Sequence, residues 1–375
     1  MNLLPKPKKI TEKGGQLLLC HSMYIVISKE ISDNGIYAAK RLQEAIRQET
    51  GLLLRLSVGE TRDGDLSLGI TETLSGQAYE ITINENGVQI LGGDGAGVLY
   101  GVETFCQILQ QYGGALPCMQ IMDAPDMPNR GYYFDQTRGR VLKLEELKKI
   151  ADRMSLYKLN QLQLYVEHTY LFRDFSEMWR DQTPITAEEI RELDSYCRER
   201  HIELVPSLAS FGHLCTLLST KTYGDLCEME DSWKEPFSFW NRMRYHTINV
   251  SDGRSLPLIK KMIAEYMQLF SSDKFNICAD ETFCLGKYKS KELAKECGIH
   301  RLYIDYVKEL AQFLVENGKI PMFWGDIIWN SPELMKELPE TMVCLNWGYA
   351  PEQREDETRA IAQTGAMQYL CPGVC

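Results

Sequence analysis

The first 122 residues combine short apolar runs with one amphipathic segment. The runs 23–28 (MYIVIS) and 78–83 (AYEITI) are rich in β-branched and aromatic residues, which is typical of strands. Residues 35–51 repeat apolar positions at helical spacing. The stretch ITINENGVQIL places two β-rich runs on either side of Asn86-Gly87, which predicts a hairpin. This part of the chain is therefore predicted to be a mixed α+β domain.

A glycine-rich turn opens a predicted helix at residues 91–111 (LGGDGAGVLYGVETFCQILQQ). Its spacing differs from the G-x-G-x-x-G pattern of dinucleotide-binding loops, because Val98 stands where the third glycine is required after Gly93 and Gly95. No Walker-type lysine follows either. We therefore interpret these glycines as a tight packing turn between a strand and a helix.

The pattern changes after a proline-containing linker at 122–131. From there, short apolar runs alternate with amphipathic helical stretches such as 143–157 and 253–270. The predicted strands are 131–135, 161–166, 202–208, 275–279, 320–324, 342–346 and 366–370. Alternating strands and helices form parallel sheets with helical crossovers. Because no glycine-rich nucleotide turn is present, we expect an α/β fold with a (β/α)8 TIM-type barrel over 123–375, preceded by a small α+β domain over 1–122.

The sequence stops just after the seventh predicted barrel strand. A closed eight-stranded barrel needs one more strand and helix, so the barrel is predicted to be C-terminally incomplete, truncated before its eighth strand. Unpaired outer strands promote association. The chain is therefore expected to aggregate or to be closed by a partner chain, which includes formation of a homo-oligomer.

Composition narrows the classes of function. Apolar content of 44% and charged content of 25% are those of an ordinary globular protein. The net charge of −11 comes without any basic block, which argues against nucleic-acid and anionic-membrane partners. No apolar run of 18 residues and no export signal are present, and the twelve cysteines lack a C-x-x-C spacing. These features predict a cytoplasmic protein without a structural zinc site.

Polar and aromatic residues gather where the predicted barrel strands end. They are Asp135 with Arg138, Glu167 with His168, His213, Asp280 with Glu281, Trp324 with Asp326, and Asn346 with Trp347. The carboxyl ends of the strands form the active-site face of a (β/α)8 barrel. Carboxylates beside tryptophans are typical of carbohydrate sites, where indoles stack on sugar rings and acids protonate the leaving oxygen.

The two acids Asp280 and Glu281 are neighbours, which restricts their roles. A glycosidase with two catalytic carboxylates places them on either side of the scissile bond. Consecutive strand residues point to opposite faces, so these two are poorly placed to flank one bond unless the strand bends. One of them is the candidate general acid. A nucleophile must then come from another strand, with Glu167 as the candidate, or from the substrate itself.

The chain resembles glycoside hydrolase family 20, the β-N-acetylhexosaminidases, in which a strand ends in an Asp-Glu pair. GDGAGVLYGVETFCQIL is similar to the end of that family's N-terminal domain. DAPDMPNRGYYFDQTRGR is similar to the start of its barrel, MSLYKLNQLQLY to its second strand and LVPSLASFGH to its third. The resemblance covers nearly the whole chain.

This resemblance implies an exo-acting, retaining enzyme without cofactor or metal ion, acting on glycans with a terminal N-acetylhexosamine. Asp280 is expected to hold the substrate's 2-acetamido group as it attacks the anomeric carbon, and Glu281 to act as general acid and base. Arg130 is expected to bind the outer hydroxyls of the sugar; the alternative is a linker arginine paired with a nearby acid. His213 matches the histidine that closes the third strand, with a structural histidine as the alternative.

Two tryptophans complete the expected site. Trp324 is expected to line the acetamido pocket or the sugar face, unless it is a core tryptophan. Trp347, Asp326, Glu167 and His168 are further substrate-binding candidates.

The chain also departs from the family pattern. Asn276-Ile277-Cys278-Ala279 replaces His-x-Gly-Gly before the acid pair, and Glu167-His168 replaces an acid pair after the second strand. The family's tyrosine after the seventh strand and tryptophan of the eighth have no counterpart before Cys375. Two alternatives therefore stay open: a sugar-binding protein of the same fold that lost turnover, and a two-carboxylate glycosidase using Glu167.

Overall fold

The computed structural model describes residues 1–31 and 34–373. By its internal contacts the chain divides into two compact units. The first comprises Met1–Tyr132, Glu145–Leu162 and Ser195–Glu203, and the second comprises Tyr133–Leu144, Gln163–Asp194 and Leu204–Cys375. The boundary predicted at 122/123 stays a prediction. Among the described residues, no helix is long and apolar enough to cross a membrane.

The N-terminal region is built on a mixed seven-stranded sheet with the order β1-β7-β5-β6-β4-β2-β3. Its strands are β1 (Lys9–Leu18), β2 (Tyr24–Ile27), β3 (Arg55–Val58), β4 (Leu66–Ile70), β5 (Tyr79–Asn84), β6 (Gly87–Gly92) and β7 (Ala115–Asp123). Two helices, α1 (Asn34–Thr50) and α2 (Gly95–Tyr112), contribute their apolar faces to its core. The predicted mixed α+β character is confirmed.

The glycine-rich turn and the hairpin of this region can be compared with their predictions from the sequence. Side chains on Gly93 and Gly97 would collide with the carbonyl oxygens of Ser75 and Ala78, so close backbone packing requires glycine there, as predicted. The hairpin was predicted one position too late. Asn84 pairs with Gly87, so the two-residue turn is formed by the residues between them.

The second sheet has seven strands in chain order, β14-β13-β12-β11-β10-β9-β8. They are β8 (Gly131–Asp135), β9 (Gln161–Val166), β10 (Glu203–Leu208), β11 (Lys274–Asn276), β12 (Ile320–Trp324), β13 (Val343–Gly348) and β14 (Met367–Pro372). From β10 to β14 each strand pairs in parallel with the next. This sheet with its intervening helices has the architecture of a (β/α) barrel, which confirms the predicted fold class.

Helices and short turns connect these strands. The α-helices are α3 (Leu144–Leu156), α4 (Ser176–Trp179), α5 (Ala187–Glu199), α6 (Cys215–Leu218), α7 (Phe239–Arg244), α8 (Ser255–Met267), α9 (Lys291–Cys297), α10 (Ile299–Glu316) and α11 (Glu355–Gln363). Short 3-10 helices cover Gly224–Leu226, Ser232–Lys234, Ile328–Asn330 and Pro332–Glu337. Three helices lie between β10 and β11, so the longest connection in this sheet leads to the strand that carries the acid pair.

Strand β11 is shorter than the 275–279 predicted from its apolar run. Cys278 and Ala279 have φ angles of 58° and 63°, and Glu281 has a φ of 47°. A β-strand cannot continue through the left-handed region, so the ladder ends before the acids. Cys278 and Ala279 stand where the family motif has two glycines, and their backbone conformation is one that glycine adopts freely.

Substitution of Ala279 by glycine is expected to leave the free energy of unfolding nearly unchanged. Glycine relieves a left-handed strain of about 1 kcal/mol, while the loss of the buried methyl group costs about 0.8 kcal/mol. The matched control is Ala311→Gly in α10, a buried alanine in a helix, which is expected to lose about 1 kcal/mol or more because no strain is relieved. Chemical denaturation of the two variants measures the contrast, and equal losses would contradict the strain at Ala279.

Candidate active site

The turn after β11 is held from several sides. The Cys278 N–H donates to Asn276 Oδ1 at 2.8 Å, and the Trp324 N–H donates to the Cys278 carbonyl at 2.9 Å. The Tyr303 hydroxyl donates to the Ala279 carbonyl at 3.0 Å. These bonds offset the left-handed backbone and fix the direction in which the next two side chains leave the strand.

His213 lies between the two acids. Its Nε2 atom is 3.3 Å from Asp280 Oδ2 and 3.3 Å from Glu281 Oε2. The imidazole is buried, whereas the two carboxylates are partly exposed. Burial lowers the pKa of His213, but the two carboxylates outweigh it and raise the pKa to about 10, with a smaller contribution from Glu167. His213 is therefore an imidazolium at neutral pH, shared by both acids.

Asp326 is a third carboxyl group beside this pair. Its Oδ2 atom accepts the Glu281 N–H at 2.9 Å, and its buried Oδ1 atom has no hydrogen-bond partner among the described residues. Burial and the charge of Asp280 raise the pKa of Asp326 to about 8. At neutral pH this group is therefore mostly protonated, which avoids a third negative charge beside the pair.

Glu167 is the centre of a second charged cluster. Its carboxylate accepts hydrogen bonds from Tyr165 Oη and from Arg242 Nη2, both at 2.9 Å. Arg138 Nε lies 3.9 Å away, and His168 Nδ1 lies 3.8 Å away. Burial raises the pKa of Glu167, but the nearby His168 and the cations Arg242, His213 and Arg138 lower the pKa to about 2. The carboxylate is therefore ionised, and both of its oxygens are occupied.

Two arginines near β8 have different surroundings. Arg138 follows the carboxyl end of the strand, pairs with Asp135 at 2.6 Å and lies over the Tyr165 ring at 4.6 Å. Arg130 precedes the amino end of the strand. Its guanidinium donates to the carbonyls of Lys158, Met127 and Pro128 and to the side chains of Gln77 and Tyr100.

The expectation that Arg130 binds sugar hydroxyls is therefore corrected. Its N–H groups are occupied by structural partners, and it stands at the end of β8 remote from the predicted active-site face. The alternative of a structural linker arginine fits, although its partners are carbonyls, an amide and a hydroxyl rather than an acid. Arg138 is the arginine that β8 presents beside Glu167 at its carboxyl end.

The two predicted tryptophans differ in exposure. Trp324 is 7% exposed and packs edge-to-face on Tyr133 at 4.9 Å between ring centroids, so most of its surface belongs to the core. Trp347 is half-buried and lies beside Trp329 and Tyr349, at 6.0 and 5.3 Å between ring centroids. Its indole nitrogen has no hydrogen-bond partner in the described part of the chain.

The donor groups of His213, Asp280 and Glu281 lie within 4.8 Å of one another. Such a set is compatible in spacing with a cation, but here the imidazolium already lies between the two carboxylates and offsets one of their two negative charges. Its simplest chemical use is acid–base and electrostatic, because one proton-rich group can hold both acids in defined positions.

The site also contains residues that sequence analysis did not single out. Arg242 donates to Glu167 from α7, and Tyr165 donates to it from β9. Tyr303 reaches the turn from α10. The alternation of apolar and polar residues in β9 gave a weak signal for Tyr165, but no local pattern distinguished Arg242 from the neighbouring basic residues.

A barrel with acids, aromatic residues and a shared histidine at the strand ends defines a glycosidase-like class of protein. The chain matches the family model for Glycosyl hydrolase family 20, domain 2, over residues 1–124 and that for the Glycosyl hydrolase family 20 catalytic domain over residues 128–373. The chain belongs to glycoside hydrolase family 20.

Among its relatives, a beta-hexosaminidase of Porphyromonas gingivalis is 23% identical over 365 residues, which are 88% of this chain and 46% of that protein. A beta-hexosaminidase of Akkermansia muciniphila is 30% identical over 189 residues, 45% of this chain and 36% of that protein. The chain thus spans less than half the length of both.

Solved structures resemble the fold over almost the whole chain. The chitobiase of Flavobacterium johnsoniae has a TM-score of 0.84 at 20% identity, over 98% of this chain and 58% of that one. The beta-N-acetylhexosaminidase of Bacteroides fragilis has a TM-score of 0.79 at 19% identity, over 99% of this chain and 75% of that one. At these identities the likeness establishes the fold alone.

Replacement of Asp326 by asparagine is expected to flatten the pH dependence of stability. The pKa of Asp326 is raised to about 8 from an ordinary value of 3.8, so the folded state holds a proton that the unfolded state releases. The parent therefore loses stability from this group as pH rises from about 4 to about 8. The uncharged asparagine can still accept the Glu281 N–H and has no proton to lose.

Thermal unfolding of parent and variant between pH 5 and 9 measures this effect. The melting temperature of Asp326→Asn minus that of the parent should increase with pH. Asp356→Asn, which changes an aspartate whose side chain is 77% exposed, is the matched control and should leave the shape of the profile unchanged. A difference between parent and Asp326→Asn that is constant with pH would contradict a protonated Asp326.

Proposed function

We propose that this chain carries the catalytic centre of an exo-acting β-N-acetylhexosaminidase that releases terminal N-acetylglucosamine or N-acetylgalactosamine from glycans. The observation that carries the proposal is the convergence of Asp280 and Glu281 on one nitrogen of His213, each at 3.3 Å. Both acids thus turn to the same side instead of facing each other. Membership of glycoside hydrolase family 20 and the hexosaminidase names of its relatives support the same activity.

The arrangement favours a nucleophile supplied by the substrate. The donor atoms of the acid pair lie within 4.8 Å, close to the roughly 5 Å between carboxyl groups in retaining glycosidases. In such enzymes, however, the two carboxylates flank the bond, whereas here one imidazolium holds both. A 2-acetamido oxygen can attack the anomeric carbon from within the sugar, which leaves the enzyme the tasks of orientation and proton transfer.

In this mechanism Asp280 orients the acetamido group and balances the positive charge of the oxazolinium intermediate. Glu281 protonates the leaving oxygen and then removes a proton from the attacking water, so the anomeric configuration is retained. His213 fixes both carboxylates, and its positive charge falls within reach of each. Asp326 holds the Glu281 backbone, so the direction of the acid is set by two independent contacts.

The rival in which Glu167 is an enzymic nucleophile has less support. Glu167 is 3% exposed, and its two oxygens accept hydrogen bonds from Tyr165 and Arg242. A carboxylate held in this way is a poor nucleophile, because it is buried away from the substrate and its negative charge is already stabilised by Arg242 and Arg138. The other rival is a sugar-binding protein without turnover. Such a protein would not need Glu281 as a proton donor beside Asp280.

Asp280→Asn is expected to lower kcat by about a hundredfold or more while KM changes little. The amide keeps the size of the side chain but loses the charge that stabilises the transition state, and such losses fall on kcat. Steady-state kinetics on an aryl N-acetyl-β-glucosaminide measure this. Asp252→Asn, a change of an aspartate that pairs with Arg254, is the matched control and should retain parental kinetics.

A thiazoline analogue of the cyclised acetamido group gives a second readout for Asp280. It should inhibit the parent tightly and bind Asp280→Asn far more weakly, because its ring nitrogen takes the place of the oxazolinium nitrogen, which Asp280 stabilises in this mechanism. An aryl β-glucoside without the acetamido group should not be hydrolysed. Equal turnover of the two substrates, or a covalent sugar ester trapped on Glu167, would overturn the substrate-assisted mechanism.

Glu281→Gln is expected to affect substrates according to their leaving groups. The amide cannot donate a proton, so an alkyl or sugar leaving group should lose several orders of magnitude in kcat/KM, and an acidic phenol much less. Rates across a series of aryl glycosides give the dependence on leaving-group pKa, which should be steeper in the variant than in the parent. Parallel dependences would contradict the role of Glu281 as general acid.

A further inference from the structure

A cavity of about 350 Å³ lies within the second unit, among residues that follow β8, β9 and β10. Its lining includes Thr137, Arg140, His168, Gln182, Phe237 and Arg242. Cavities that bind small ligands begin at about 300 Å³, so there is room for a single sugar unit. Asp280 and Glu281 are not among the lining residues, so this cavity is distinct from the acid pair.

The charges around the cavity are unusual for this chain. The net charge of the sequence is −11, yet the described residues that line the cavity include two arginines and a histidine and no acid. Arg242 is balanced by Glu167 behind it, at 2.9 Å. Arg140 is exposed and forms no ion pair with any described residue. One positive charge at the cavity is therefore left without a partner.

Buried polar atoms without partners point in the same direction. His168 Nδ1 and Arg242 Nε are buried and have no hydrogen-bond partner within 1–31 and 34–373. The His168 side chain is only 7% exposed, and its Nδ1 atom is 3.8 Å from Glu167 Oε2, too far for a normal hydrogen bond. Buried polar atoms without partners cost free energy, and a ligand with acceptor oxygens would satisfy Arg242 Nε and, in its Nδ1–H form, His168.

A segment with several exposed aromatic residues contributes one of them, Phe237, to the lining of the cavity. Phe237 is 83% exposed, and Trp233, Phe239 and Trp240 nearby in the sequence are 59%, 57% and 63% exposed. Single exposed apolar residues are ordinary, but four in one short segment indicate a binding surface. Their ring faces suit the apolar face of a sugar. Arg242 belongs to the same segment and connects it to the Glu167 cluster beside His213.

We propose that this cavity binds an anionic group, a carboxylate or a sulfate ester, on the sugar to which the terminal N-acetylhexosamine is attached. Arg140 would pair with the anion, the buried N–H groups of His168 and Arg242 would donate to its oxygens, and Phe237 would stack on the ring. The enzyme would accordingly prefer acidic glycans to neutral ones. This inference rests on the proposed hexosaminidase activity, in which the acid pair acts on the N-acetylhexosamine on the other side of the scissile bond.

Three disaccharides test the inference, each with N-acetylglucosamine β-linked to a second sugar: galactose, galactose 6-sulfate or glucuronic acid. For the parent, kcat/KM on at least one charged substrate should exceed that on the neutral one by about tenfold, the effect of one charge-assisted hydrogen bond. The charged substrate with the larger ratio distinguishes a sulfate from a carboxylate. Added salt should lower the ratio.

Arg140→Gln should bring the ratio of charged to neutral substrate close to one, and Arg140→Lys should restore part of it. Because Arg140 is exposed and unpaired in the described chain, these variants are expected to fold. Arg359→Gln removes the same charge from an arginine of α11 that does not line the cavity, and should keep the parental ratio. A parental ratio near one on both charged substrates, or a ratio that Arg140→Gln leaves unchanged, would overturn the inference.

An activity assay distinguishes failure of the proposed function from failure of the proposed anion site. If the parent hydrolyses no aryl N-acetyl-β-glucosaminide, the activity is wrong, and calorimetric titration of the three disaccharides still tests the cavity. Tighter binding of a charged disaccharide, weakened by Arg140→Gln and kept by Arg359→Gln, supports the anion site. Equal affinity for charged and neutral disaccharides overturns it.

Discussion

One buried imidazolium shared by two adjacent carboxylates determines the geometry of this site. Neighbouring residues in a strand point to opposite faces, so Asp280 and Glu281 can reach the same nitrogen only if the backbone leaves the strand before them. The positive φ angles at Cys278, Ala279 and Glu281 provide this departure. His213 itself has a φ of 58°, so both sides of the interaction depend on left-handed backbone. Strain of this kind persists where surrounding contacts fix it.

The charges around His213 alternate in sign. Arg242 and Arg138 flank Glu167, which contributes to the raised pKa of His213, and His213 pairs with Asp280 and Glu281. Asp326 ends the series as a neutral acid, because a further carboxylate would be repelled by the pair. Each buried group is thus stabilised by its neighbour, and removal of one member leaves the next unpaired. A site organised in this way holds its acids in place before any substrate arrives.

Two departures from the family pattern acquire a physical interpretation. Cys278 and Ala279 occupy the places of two glycines, yet they keep the left-handed conformation that glycine would adopt without strain. The bonds from Asn276, Trp324 and Tyr303 to this turn show how the fold tolerates them. Glu167-His168 replaces an acid pair, and the histidine faces a cavity without acidic lining residues. The second departure therefore changes the charge at that end of the sheet.

The sequence by itself determined the order of strands and helices and the residues that stand where barrel strands end. Strands β8, β9 and β12 have the predicted bounds, since apolar runs and their polar boundaries are local properties. The acid pair and His213 were singled out as candidates in the same way. The tertiary structure alone decided which side chains meet. Arg130 donates to the Lys158 carbonyl and to Gln77, whereas Arg138 lies beside Glu167, and all of these partners are distant in sequence. Arg242 reaches Glu167 across 75 positions of sequence. Such partners depend on how distant segments pack, and no local period encodes that.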